Sequence, residues 1–202
     1  MDSENSTDPK PAVPSRRSEK LPVFPLALTL LRLGLTPVFL VVFHVAGPWL
    51  SLLTALIIEL SDLVDGAVAR RWNQVTDLGK LLDPLADSVS RLTIYACFAS
   101  EELIPVWAFL VLMYRDAAVA MTRTLCAYRR EVLSARISGK IKAWFQGTGE
   151  ITILGGCALA GGWHPHGIYL VVGIVVAGVT TWSGIDYLWS HRGAYRTSPL
   201  DG

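Results

Sequence analysis

Asp62-Leu63-Val64-Asp65-Gly66-Ala67-Val68-Ala69-Arg70, followed after eight residues by Gly79, after three more by Asp83 and after another three by Asp87, is the stretch that decides this chain. Four carboxylates, two glycines, an alanine and an arginine stand at fixed spacing beside apolar runs long enough to cross a bilayer. If the run from about Trp49 to Arg71 is helical, Asp62 and Asp65 are i and i+3 and emerge on one face, with Gly66 one turn after Asp62. Asp83 and Asp87 are i and i+4 on the next helix, where Asp83 is expected at the N-cap and Pro84 at the first helical position, at which a missing N–H costs nothing. Hard divalent ions such as Mg²⁺ or Mn²⁺ take oxygen ligands. The carboxylates Asp62, Asp65, Asp83 and Asp87 suffice for two of them, with positions left for water and phosphate oxygens. Gly66 and Gly79 remove side-chain bulk where a ligand would approach. The pattern predicts a metal site in a membrane.

Working outward, composition points the same way. The chain is 51% hydrophobic and only 17% charged, which favours an all-α integral membrane protein over a soluble domain of this length. Six transmembrane helices are expected at about 25–46, 49–70, 84–100, 103–128, 140–162 and 167–190, the third of them short. They form one membrane domain over 21–192. It is flanked by an N-terminal tail over 1–20, rich in Ser, Pro and charge, and a short C-terminal tail over 193–202, both expected in the cytoplasm. The connections near Gly47-Pro48, Glu101-Glu102 and 161–166 hold no Lys or Arg, whereas the other connections and both tails hold many. By the positive-inside rule both termini and the aspartates face the cytosol. A net charge of +1 gives no case for nucleic acid; the basic residues are local, as phosphate ligands or anionic membrane lipid would require.

Charges within the spans are the second signal. Arg32, Arg91, Arg115, Asp116, Arg123 and Glu150 fall inside or at the ends of apolar stretches, where an isolated charge costs several kcal/mol and must find a partner or water. Arg115 and Arg123 share a broad helical face, and Arg136 and Lys140 are i and i+4 if the fifth span starts early. With Lys142 these residues form a candidate phosphate pocket near the metals; for Arg32 and Arg91, salt bridges or snorkelling are the competing reading. Cys97, Cys126 and Cys157 have no metal-ligand or redox spacing and read as small packing residues. His164 and His166 read as ordinary loop residues, and Trp49, Trp163, Trp182 and Trp189 as interfacial anchors.

The aspartate pattern matches every fixed position of D-x2-D-G-x2-A-R-x8-G-x3-D-x3-D, so the chain resembles the CDP-alcohol phosphatidyltransferases. The early Thr29-Leu-Leu-Arg32 and the basic Ser138-Gly139-Lys140-Ile-Lys142 stretch with Gln146 are similar too, and the likeness covers most of the chain. The strings Ala69-Arg70-Arg71-Trp72-Asn73-Gln74 and Leu82-Asp83-Pro84-x-Ala86-Asp87 look most like the phosphatidylglycerophosphate synthase branch, and cardiolipin synthases that use CDP-diacylglycerol share them.

The resemblance implies the family's CDP-alcohol phosphotransferase fold, a homodimer in the bacterial inner membrane, two Mg²⁺ or Mn²⁺ ions, and transfer of a phosphatidyl group from CDP-diacylglycerol to glycerol 3-phosphate with release of CMP. It implies that Asp62, Asp65, Asp83 and Asp87 hold the metals and that Asp87 is the catalytic base. Gly66, Ala69, Arg70, Thr76 and Gly79 would line the CDP pocket, and Arg115, Arg123, Arg136, Lys140 and Lys142 the acceptor-phosphate pocket. Three positions depart from the pattern: Asp116 where Glu is frequent, Ala143 where Thr is common and Leu26 in place of a frequent Asn. They leave the metal site intact and bear on the acceptor and the cytidine end, so phosphatidylglycerol, an inositol phosphate or serine stay open as acceptors. A cation transporter is the competing class. It would place acids near the midplane of several spans with a route to both sides, whereas these aspartates gather at the cytosolic ends of two consecutive spans.

Overall fold

The apolar runs become helices because each supplies long stretches of Leu, Ala and Val free of helix-ending Gly-Pro pairs. A computed structural model describes residues 23–72, 77–128 and 137–192, with side chains described over 29–61, 84–126 and 137–192. Among the described residues there are six helices and no strand: α1 (Val23–Val45), α2 (Pro48–Trp72), α3 (Asp77–Ser100), α4 (Val106–Tyr128), α5 (Ile137–Ala160) and α6 (Gly167–Ser190). α6 is long and apolar enough to cross a membrane, with a mean hydropathy of 1.9 over its best window.

Left-handed glycines make two of the tight links. Gly47, at φ 81°, joins α1 to α2, and Gly161, at φ 74°, stops α5 while its N–H reaches back to the Ala158 carbonyl. Pro105 supplies its carbonyl to the Ala108 N–H, so α4 begins at Val106 and not at the expected 103.

The third helix differs more from expectation. It begins at Asp77, about two turns before Pro84, so Asp83 is not an N-cap and Pro84 lies inside the helix. The segment Asp77-Leu-Gly-Lys-Leu-Leu already contains good helix formers, and one interior proline forfeits a single rung of the hydrogen-bond ladder without stopping the helix. The span expected to be short is therefore 24 residues long, and the whole Gly79-to-Asp87 half of the pattern rides on one helix.

α1 packs on α2 and α3, α5 on α2 and α6, and α4 on α3 and α6. At the end marked by the three links without Lys or Arg, the core is aromatic and aliphatic. Phe39, Phe43, Phe98, Leu103 and Ile104 are buried there, and Trp163 lays its ring 4.0 Å from that of Phe43. Such side chains hold the helices together through close van der Waals packing. Trp163 thus packs inward, whereas Trp49, Trp182 and Trp189 are exposed as interfacial anchors would be. The three cysteines are buried and form no disulfide, as packing residues. Toward the opposite end the interior turns polar: Thr36 and Ser90 join α1 to α3 through a 2.8 Å hydroxyl pair, and Arg91, Asp116, Lys142 and Glu150 are buried among the helices.

Candidate active site

The register of two helices places the aspartates. Asp62, Asp65, Gly66, Ala69 and Arg70 lie on the last turns of α2, and Gly79, Asp83 and Asp87 on the first half of α3. Helical geometry puts positions 62 and 65 on one face of α2, and 83 and 87 on one face of α3. Thr76 and Arg136 lie outside the described residues, as do the side chains of 62–83; Asp87 is the member of the set whose side chain is described.

Asp87 is partly buried, and its Oδ1 accepts a 2.8 Å hydrogen bond from Nε of Arg91, one turn further along α3. The same guanidinium reaches Glu59 on α2 at 3.2 Å and the Ala143 carbonyl on α5 at 3.3 Å. Glu150, fully buried on α5, neighbours both Arg91 and Glu59. Below them the Tyr95 hydroxyl donates to the Gln146 carbonyl at 2.9 Å, and the Gln146 side-chain amide faces Thr180. Arg91 is thus salt-bridged and not snorkelling. Glu59 was not singled out from the sequence. An acid three residues ahead of Asp62 in an otherwise apolar run was its available signal.

A second polar cluster joins α4, α5 and α6. Lys142 donates to both oxygens of Asp116 at 2.9 Å, and Arg115 Nη1 shares Oδ1 at the same distance. Arg115 Nη2 donates to Ser183 on α6 at 2.8 Å. Arg123 stands over the Tyr187 ring, 5.9 Å from its centroid. Ser138 donates to Asp186 at 2.5 Å, a contact that sequence reading missed because the two residues are distant in the chain. Of the five residues expected around an acceptor phosphate, Arg115 and Lys142 are brought together, Arg123 lies further along the Arg115 face, and Lys140 is exposed. Lys142 is followed on α5 by Ala143, whose carbonyl meets Arg91, so the two clusters adjoin.

The donor chemistry suits a hard divalent cation: carboxylate oxygens on two successive helices, of which the described one, Asp87, has one oxygen held by Arg91 and a second that Arg91 does not use. Among the described residues no group of three or more His, Cys, Asp or Glu forms a metal cluster; three of the four aspartates fall outside that description.

Comparison with known proteins gives a consistent result. The family model described as CDP-alcohol phosphatidyltransferase matches residues 22–182. A Salmonella paratyphi A protein named CDP-diacylglycerol–glycerol-3-phosphate 3-phosphatidyltransferase is 33% identical over 181 residues, covering 84% of this chain and 94% of its own. A Bacillus subtilis protein of the same name is 33% identical over 137 residues, 60% of this chain and 71% of its own. A Streptomyces coelicolor protein named cardiolipin synthase (CMP-forming) is 37% identical over 108 residues, half of each chain.

Proposed function

The chain belongs to the CDP-alcohol phosphatidyltransferase family, whose members are membrane-bound and generally use divalent cations, and from that premise we propose that it transfers a phosphatidyl group from CDP-diacylglycerol to sn-glycerol 3-phosphate. The products are phosphatidylglycerophosphate and CMP. The observation that carries this reading is the adjacency of an acid-rich cluster at Asp87 and a cation-rich cluster at Arg115 and Lys142. The relatives similar over most of the chain carry the same activity in their names, and the cardiolipin synthase is similar over a shorter stretch.

Two divalent cations, Mg²⁺ or Mn²⁺, would be held by Asp62, Asp65, Asp83 and Asp87, and when bound they would offset the diphosphate charge and stabilise the charge that develops at the β-phosphorus. Gly66, Ala69, Arg70, Thr76 and Gly79 would line the cytidine diphosphate. Asp87 takes the proton of the acceptor hydroxyl as its oxygen forms the new bond to the β-phosphorus. The bond between that phosphorus and the bridging oxygen breaks, and CMP leaves with the electron pair. Arg115, Arg123, Arg136, Lys140 and Lys142 would hold the acceptor phosphate, Arg115 and Lys142 from the cluster already built on Asp116.

The lipid tails stay in the bilayer. Large apolar side chains are exposed along every helix, among them Val41, Leu53, Val89, Met121, Leu159 and Ile168, which supports six spans embedded in lipid. The absence of Lys and Arg from the three links opposite the aspartates supports a site open to the cytosol, in a bacterial inner membrane. The catalytic unit is 21–192 with cytoplasmic tails on either side, working as a homodimer.

The reading is tested by incubating the purified protein in detergent with CDP-diacylglycerol, glycerol 3-phosphate and Mn²⁺ and identifying the lipid by mass spectrometry. Phosphatidylglycerophosphate is the expected product. Unchanged CDP-diacylglycerol with every divalent ion tried would refute the activity.

A further inference from the structure

A carboxylate that must both meet a metal and accept a proton has to be held in one orientation, and a single i,i+4 pair on one helix holds it weakly. The partner of Asp87 is not held by one helix. Arg91 Nε donates to Asp87 Oδ1 at 2.8 Å while Nη2 is fixed to Glu59 on α2 and Nη1 to the Ala143 carbonyl on α5. The guanidinium is a rigid planar fork, so fixing two of its corners fixes the third. Gly147 makes room for it: a Cβ there would stand 3.3 Å from Arg91 Nη1 and 3.4 Å from Glu59 Oε2. Glu150, fully buried on α5, adds a third acid near the cation.

Simple stability does not account for the arrangement. Three carboxylates around one guanidinium inside a bundle carry a desolvation cost that well-packed apolar side chains would avoid. We propose that Arg91 is the positioning residue for Asp87: anchored on α2 by Glu59 and on α5 by Ala143 within a niche left by Gly147, it holds Oδ1 and so aims the other oxygen toward the metal and the acceptor hydroxyl. Because Glu59 lies one turn below Asp62 on α2, the same anchor ties the two aspartate-bearing helices together at a fixed relative register. The inference rests on the reading of Asp87 as ligand and base.

The test compares Arg91→Lys and the triple variant Glu59→Gln/Arg91→Met/Glu150→Gln, which removes the cation together with two of the acids near it, with the parent and with Asp87→Asn. Each is purified in detergent and measured for Mn²⁺ binding by electron paramagnetic resonance, for kcat and for the KM of glycerol 3-phosphate. Expected for both Arg91 variants is a loss of about 10- to 100-fold in Mn²⁺ affinity or kcat per folded molecule, as for other residues that orient a ligand, with the acceptor KM within about twofold of the parent. A folded Arg91 variant with parental Mn²⁺ affinity and kcat overturns the proposal, as does a loss confined to folded yield; Arg91→Lys decides the matter if the triple variant does not fold. If Asp87→Asn is impaired and the Arg91 variants are not, the positioning role alone falls. If Asp87→Asn matches the parent, the underlying reading of Asp87 falls, and the positioning role with it.

Discussion

Two buried ionic clusters share this bundle, and they are built with opposite signs. Around Arg91, among the described residues, the acids Glu59, Asp87 and Glu150 outnumber the cation. Around Asp116, the cations Arg115 and Lys142 outnumber the single acid. Among the described residues the first cluster keeps a negative surplus on the α2–α3–α5 side and the second a positive one on the α4–α5–α6 side. On the proposed function, a divalent cation would complete the first and a phosphate the second. Lys142, next to the Ala143 whose carbonyl meets Arg91, stands between them, and the reaction proposed for the chain needs a diphosphate on metal beside an acceptor phosphate on cations.

The comparison can be broken most severely on the acidic side. Chelation of divalent ions is expected to abolish CMP release, restored by added Mg²⁺ or Mn²⁺. Asp87→Asn is expected to lower kcat by about 10²- to 10⁴-fold, the range of a general base, while CDP-diacylglycerol remains bound. Steady-state turnover together with equilibrium binding of the donor checks this.

On the basic side the expected effects are smaller and fall on the acceptor. Lys142→Met leaves Asp116 with Arg115 alone; loss of a buried partner is expected to cost about 3–5 kcal/mol of stability, and the KM for glycerol 3-phosphate rises more than that for CDP-diacylglycerol. Thermal unfolding in detergent and two-substrate kinetics separate the two effects. A rise confined to the donor KM would erase the division between clusters.

The smallest expected effect is that of Ser183→Ala. It removes one acceptor from Arg115 Nη2, worth about 1 kcal/mol, and is expected to raise the acceptor KM severalfold with kcat for bound substrates nearly unchanged. Initial rates at varied glycerol 3-phosphate check it.

Much of this was legible in the sequence, for reasons that differ by region. The helices were readable because apolar length and Gly or Pro punctuation are local properties, and the expected spans fall close to α1, α2, α5 and α6. The start of α3 was misplaced because Pro84 carries a strong local rule for a first helical position, which the helix-forming residues ahead of it override. The aspartate spacing identified the family before any coordinate was known, since ligands on two consecutive helices leave a fixed periodicity. The clusters were only half readable. Arg91, Glu150, Arg115 and Asp116 stood out as charges in apolar spans, but their partners could not be assigned, because pairing across helices depends on packing angles that no local pattern records. Glu59 and Asp186 escaped for that reason. Glu59 and Glu150 lie in the bundle, Glu59 in a salt bridge with Arg91 and Glu150 fully buried on α5.

The central claim is tested most directly by CMP release from CDP-diacylglycerol by the purified chain with Mg²⁺ or Mn²⁺, comparing glycerol 3-phosphate with phosphatidylglycerol, an inositol phosphate and serine. The account predicts CMP with glycerol 3-phosphate and none above background with the other acceptors. CMP formed with phosphatidylglycerol or another acceptor in its place would contradict the assigned substrate, and no CMP with any acceptor would contradict the assigned chemistry.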